Sequence, residues 1–304
     1  MTLTWALIAY VACGVAASGM LGALGALSLT GTARRGQTAS TVVAGVLALL
    51  ACAAGVARLG RPEVAFHVLT RMNSGIAQGY YAVLALLVVA IIALVVLRRS
   101  EGARQTMPTW AGVVSLVVGA FGCYGIAANL TATSLSVAKT LLVFAYLLAC
   151  AFCLGLLVVG SLQGAPDGEA EASRGSGAAG ATAAALAAAS GVLAVVVAVF
   201  APRMGGHSGS VVTSPYGMVS AHATDSIASA TGGTVLASGH AGLFWALAVV
   251  VGALVPLVCA LVVRRARGAA GVVSAVVGVL CVVVGACATV ALVLFASSVT
   301  SLLN

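Results

Sequence analysis

Eight stretches of this 304-residue chain are apolar for about 20 residues or more, the length needed to cross the hydrocarbon core of a bilayer. They fall at approximately 3–29, 39–57, 75–97, 109–129, 136–162, 179–201, 237–263 and 270–300. Lipid offers no water to satisfy backbone N–H and C=O groups, so runs of this kind must close their hydrogen bonds internally, as helices. The pattern predicts an all-α integral membrane protein, a bundle of eight transmembrane helices forming a single domain over 1–304. The first run has no basic segment ahead of it, is too long for a signal sequence and precedes seven further spans, so it reads as a helix.

Charge makes up only 7% of the chain, and its placement predicts orientation. The connectors after spans 1, 3, 5 and 7 hold Arg34, Arg35, Arg98, Arg99, Arg104, Arg174, Arg264, Arg265 and Arg267. The alternate connectors hold fewer basic residues: Arg58, Arg61, Arg71, Lys139 and Arg203. By the positive-inside rule the first set is cytoplasmic, which puts both termini outside. The basic residues are dispersed and lack interleaved aromatics, so nothing here points to nucleic acid.

Two connectors have a distinct composition. Residues 164–178 (GAPDGEAEASRGSGA) read as a flexible cytoplasmic loop that divides the chain into five spans and three, which argues against equal inverted repeats. Residues 202–236 form a long outer loop carrying His207, His222 and Asp225, with His240 just beyond. Their spacing matches no standard metal-ligand pattern, and docking of an extramembrane partner fits the loop better. All eight cysteines lie in predicted spans; the Cys150–Cys153 pair sits mid-helix and reads as small packing residues.

No span contains Asp or Glu, which removes the usual proton and cation pathways, and no hydrolytic constellation can be drawn. Polar and aromatic groups gather instead at one end of spans 3 to 5: Asn73, Ser74, Gln78, Tyr80, Tyr81, Tyr124, Asn129 and Lys139. Hydrogen-bonding groups beside an apolar slot suit an amphipathic head group such as a quinol. The neighbouring connector, ARLGRPEVAFHVLTR at 57–71, concentrates Arg58, Arg61, Glu63, His67 and Arg71 on the side that the positive-inside rule leaves poor in Arg.

Within it, Leu59-Gly60-Arg61-Pro62-Glu63-Val64-Ala65-Phe66, then Leu69-Thr70-Arg71 and Asn73-Ser74-Gly75-Ile76, resembles the LGxPxRAF…LxR…SxLSxE signature of the DMSO reductase membrane anchor subunits. These are eight-span proteins of the wider polysulfide reductase-like anchor superfamily. Tyr124 and the polar connector after span 4 look like the family's corresponding segment, and the resemblance covers about residues 1–160. It implies a quinol-oxidising anchor in a bacterial cytoplasmic membrane. Such an anchor takes menaquinol as substrate, carries no haem, metal or iron–sulfur cluster, and docks a four-cluster ferredoxin-like subunit that feeds a molybdopterin catalytic subunit. The implied quinol-binding or partner-docking residues are Arg58, Arg61, Glu63, His67, Arg71, Gln78 and Tyr124. Two positions depart from the family pattern: Arg58 stands where a His is common, and Gln78 where the signature ends in Glu. Alternative readings are a small-solute transporter and an anchor scaffold without a quinol site.

Overall fold

The computed structural model describes residues 5–30, 36–58, 70, 74–99, 107–132, 136–162, 169–201, 241–265 and 269–294. Each apolar stretch is helical: α1 Trp5–Leu29, α2 Gln37–Arg58, α3 Gly75–Arg99, α4 Thr109–Leu130, α5 Val137–Leu162, α6 Glu169–Phe200, α7 Ala241–Arg265, and α8, which runs Ala269–Thr289 and continues as Val290–Leu294. All eight are long and apolar enough to cross a membrane, and there is no strand among the described residues.

The helices pack as two rings of four. In the first, α1 lies against α2 and α4, and α3 closes the ring between them; in the second, α5 lies against α6 and α8, and α7 closes it. The rings meet chiefly where α1 and α4 pack on α5. The helices thus group four and four, although the compositionally distinct connector at 164–178 follows the fifth span. Thr131 Oγ1 hydrogen-bonds Thr140 Oγ1 at 2.7 Å, tying the end of the first ring to the start of the second.

α1 is the centre of the molecule. Of its most apolar window 78% is buried, against 33% for α2. In lipid no hydrophobic force draws helices together, so close van der Waals fit must do so, and small residues permit it. Gly19 of α1 faces the Ala151 carbonyl of α5, and Gly155 of α5 faces the Gly19 carbonyl; a Cβ on either glycine would collide with the opposing backbone. On the next face, a Cβ at Gly119 of α4 would lie 2.7 Å from the Ser18 carbonyl oxygen of α1. The outer faces of α2, α3, α7 and α8 carry exposed Val, Leu and Ile, as surfaces bathed in acyl chains require.

Two helices depart from α geometry for local reasons. Phe244–Leu254 of α7 is π-helical, with the Val255 N–H bonded to the Val250 carbonyl, and Pro256 follows directly. Proline has no N–H to continue the ladder, and its ring crowds the carbonyl four residues back, so the preceding turn widens. In α8 the Thr289 hydroxyl donates to the Gly285 carbonyl at 2.9 Å, and the helix widens from Val290 onward.

One sequence expectation changes. Helix α6 starts at Glu169, inside the segment 164–178 expected to be a flexible loop. Glu and Ala are strong helix formers, and the run EAEAS outweighs the glycines that follow it. The loop at 202–236 lies outside the described residues.

The close α1–α5 crossing makes a sharp prediction. Gly19→Leu prevents accumulation of monodisperse, folded protein, since the added carbon meets backbone that cannot move aside, whereas Gly177→Ala, within a helix and with nothing within 4 Å of the added carbon, leaves the detergent-solubilised melting point unchanged or slightly raised. Fluorescence-detected size exclusion and thermal unfolding measure both.

Candidate functional site

The first ring carries its polarity in its interior. Among the described residues, the buried side-chain atoms that make no hydrogen bond are Tyr10 Oη, Ser18 Oγ, Ser40 Oγ and Asn129 Nδ2. All four belong to α1, α2 and α4, and two of them, Tyr10 and Asn129, meet at one end of the ring.

That end is assembled from all four helices. Arg58 is the last described residue of α2, and its Nη1 donates to Asn129 Oδ1 of α4 at 2.8 Å. A guanidinium at a helix end beside lipid ordinarily reaches outward to the interface. Here it is only part-exposed and turns inward across the ring. Its direction follows from how α2 finishes. The last four carbonyls of a helix have no partner within it. The Tyr80 hydroxyl of α3 supplies one, donating to the Gly55 carbonyl at 2.6 Å. Gly55 has no side chain because the rings stand there: a Cβ would lie 2.6 Å from Tyr80 Cε1 and 3.4 Å from Tyr10 Cδ2. The two rings are tilted at 47° with centroids 6.1 Å apart, and Arg58 lies within electrostatic reach of both.

Asn129 is fully buried, and its amide lies against Gly79 of α3, the second glycine this end requires. A Cβ at Gly79 would lie 2.7 Å from Asn129 Nδ2 and 2.8 Å from Tyr10 Oη, so both polar atoms face the same bare stretch of α3 backbone. They sit side by side, but no hydrogen bond of good geometry joins them. The amide's orientation follows from Arg58: a guanidinium only donates, so the Asn129 oxygen faces it and the nitrogen faces Tyr10.

The residues singled out in the sequence divide into three groups. Arg58 is central to the cluster. Gln78 opens α3 at the same end, half-buried, with its backbone carbonyl against Gly125 of α4. Tyr124 lies elsewhere. Five residues before Asn129, it points about 140° around α4, and it packs on Phe121 (6.5 Å between centroids) and edge-on to Phe144 of α5 (5.9 Å). Arg61, Glu63, His67 and Arg71 lie outside the described residues. Tyr10 was not anticipated, and neither was the role of Asn129 as the acceptor for Arg58. A lone tyrosine early in a small-residue helix carries the signal for the first, and an amide within an apolar span for the second.

The second ring also has a buried tyrosine, with its bonding complete. Tyr146, on the first helix of that ring, donates to Thr289 Oγ1 of its last helix at 2.9 Å, and Thr289 donates on to the Gly285 carbonyl. Cys150 and Cys153 are buried in α5 as free thiols, and no group of three His, Cys, Asp or Glu side chains comes together among the described residues.

No family model, curated protein or solved structure matches this chain. The Arg58–Asn129 end holds the chemistry that bears on function. The coupling of that pair can be measured. A double-mutant cycle on Arg58→Leu and Asn129→Leu, read by unfolding in mixed micelles, is expected to give about 0.6–2 kcal/mol. Strict additivity would show that the 2.8 Å contact contributes nothing.

Proposed function

We propose that the chain is the membrane anchor of a DMSO reductase-like molybdoenzyme, oxidising menaquinol and passing its electrons to an iron–sulfur subunit. The observation that carries this reading is the inward turn of Arg58. The residue directly before the signature stretch is hydrogen-bonded within a ring of membrane-spanning helices, beside two tyrosines and a buried amide. A fixed cation and hydroxyl donors at the end of an apolar bundle suit the oxygens of a quinone head group, whose prenyl chain stays in lipid.

In this reading the loaded end faces the outside of a bacterial cytoplasmic membrane, with both termini outside. Quinol oxidation releases two electrons and two protons. Arg58 does not accept a proton at neutral pH, nor does Gln78. That task falls to Glu63 or His67 in the adjoining connector. Arg61 and Arg71 in the same connector are suited to acidic groups on the iron–sulfur subunit, which would bring a cluster within tunnelling distance of the bound head group. Tyr124 serves no step at the head group in this scheme, because its ring is directed to α5.

The test is direct binding. Menadiol, a soluble naphthoquinol, should bind the purified full chain, and Arg58→Leu should weaken binding about ten- to a hundredfold, the value of a hydrogen bond from a charged donor, with no change in oligomeric state. Absence of binding by the wild-type chain, or equal binding by the variant, contradicts the proposal.

A further inference from the structure

The cluster at the end of the first ring contains more donors than acceptors. Asn129 Nδ2 brings two N–H groups, Tyr10 one O–H and Tyr80 one O–H, beside the all-donor guanidinium of Arg58. Against these stand Asn129 Oδ1, already bonded to Arg58, the Gly55 carbonyl, already bonded to Tyr80, and the hydroxyl oxygens of Tyr10 and Tyr80, and neither Tyr10 Oη nor Asn129 Nδ2 makes a hydrogen bond of good geometry to any of them. Even with one Nδ2–H directed to Tyr10 Oη, the second Nδ2–H and the Tyr10 O–H still need acceptors. Both atoms are buried and make no hydrogen bond of good geometry. A single trapped water would accept from both, but it would bring two new donors of its own, so the surplus would pass on rather than end. A group that accepts without donating relieves it outright.

We propose that this site is selective for the oxidised head group, binding a quinone more tightly than the corresponding quinol. The inference rests on the quinol-oxidation reading above. A quinone carbonyl offers two lone pairs and no hydrogen, matching the two unpaired donors, with Arg58 adding positive charge beside the oxygen. A quinol hydroxyl in the same place adds a donor where acceptors are already short, and leaving a buried donor unpaired costs about tenfold or more in affinity. In the reaction, the two O–H bonds of the quinol break and two C=O groups form. The two electrons go one at a time to the iron–sulfur subunit, and the two protons go by way of Glu63 or His67 to water at the membrane surface. Tighter holding of the product lowers the potential of the bound couple, by about 30 mV for each tenfold of preference with two electrons. The bound quinol is then a stronger reductant than the free pool.

The experiment uses the full-length chain in lipid nanodiscs under anaerobic conditions, titrated calorimetrically with menadione and with menadiol. Wild type is expected to bind menadione about tenfold more tightly. Tyr10→Phe, which keeps the ring and deletes the donor, should weaken menadione several-fold, weaken menadiol less and bring the ratio towards one. Asn129→Asp, which exchanges donors for an acceptor oxygen beside Arg58, should shift the preference towards menadiol. Should that variant fail to fold, Tyr10→Phe carries the test alone. Equal binding of the two forms by wild type, tighter binding of menadiol, or a ratio unmoved in Tyr10→Phe overturns the preference and leaves quinol oxidation standing. Binding of neither form overturns both.

Discussion

The backbone contact between α1 and α5 at Gly19, Ala151 and Gly155 is the constraint from which the rest of the molecule follows. In lipid, helices have nothing to gain from hiding apolar surface from one another, so close approach must supply the adhesion. Glycine on both helices lets main chain meet main chain there, and this fixes the depth of α1 relative to the second ring. With α1 held, Gly119 and Gly122 seat α4 on its neighbouring face, around Ser18. Tyr10, about 13 Å further along the helix at 1.5 Å per residue, is thereby placed at the depth where α2 ends and α3 begins. The position of the polar cluster is thus set by apolar packing well removed from it.

Polar side chains in the membrane are handled in two ways. In the second ring, Tyr146, Thr289 and the Gly285 carbonyl form a closed chain in which each hydroxyl has an acceptor. In the first ring, Tyr10 and Asn129 retain donors with no acceptor, next to a guanidinium. A fold that only needed stability would gain from replacing these two with apolar residues of similar shape, because unpaired buried donors are costly. Their retention beside Arg58 is what separates the first ring from the second and directs the functional proposal to it.

The number and type of elements were legible in the sequence, because bilayer thickness and backbone hydrogen bonding leave one solution for apolar runs of this length. Their grouping was not. The fit of α1 to α4 and α5, which no single-chain pattern encodes, divides the helices four and four, whereas the distinct connector at 164–178 falls after five spans. Similar limits applied to the site. Arg58 and the polar groups opening α3 stood out by charge and position, and Arg58 is central to the cluster. Tyr124 and Asn129 looked alike as polar residues late in one span, and only the helical phase separates the face towards α5 from the face towards α2 and α3. Tyr10 gave the weakest signal, since a tyrosine near a span end normally marks the interfacial belt rather than an interior group.

The central claim is that the Arg58 end of the first ring receives a quinone head group. Photolabelling the full chain in membranes with an azido-naphthoquinone, followed by peptide mass spectrometry, tests it most directly. The account predicts label on peptides containing Tyr10, Arg58, Gln78–Tyr80 or Asn129, displaced by excess menadione. Label confined to the second ring, around Tyr146 and Thr289, or label that menadione does not displace, would contradict it.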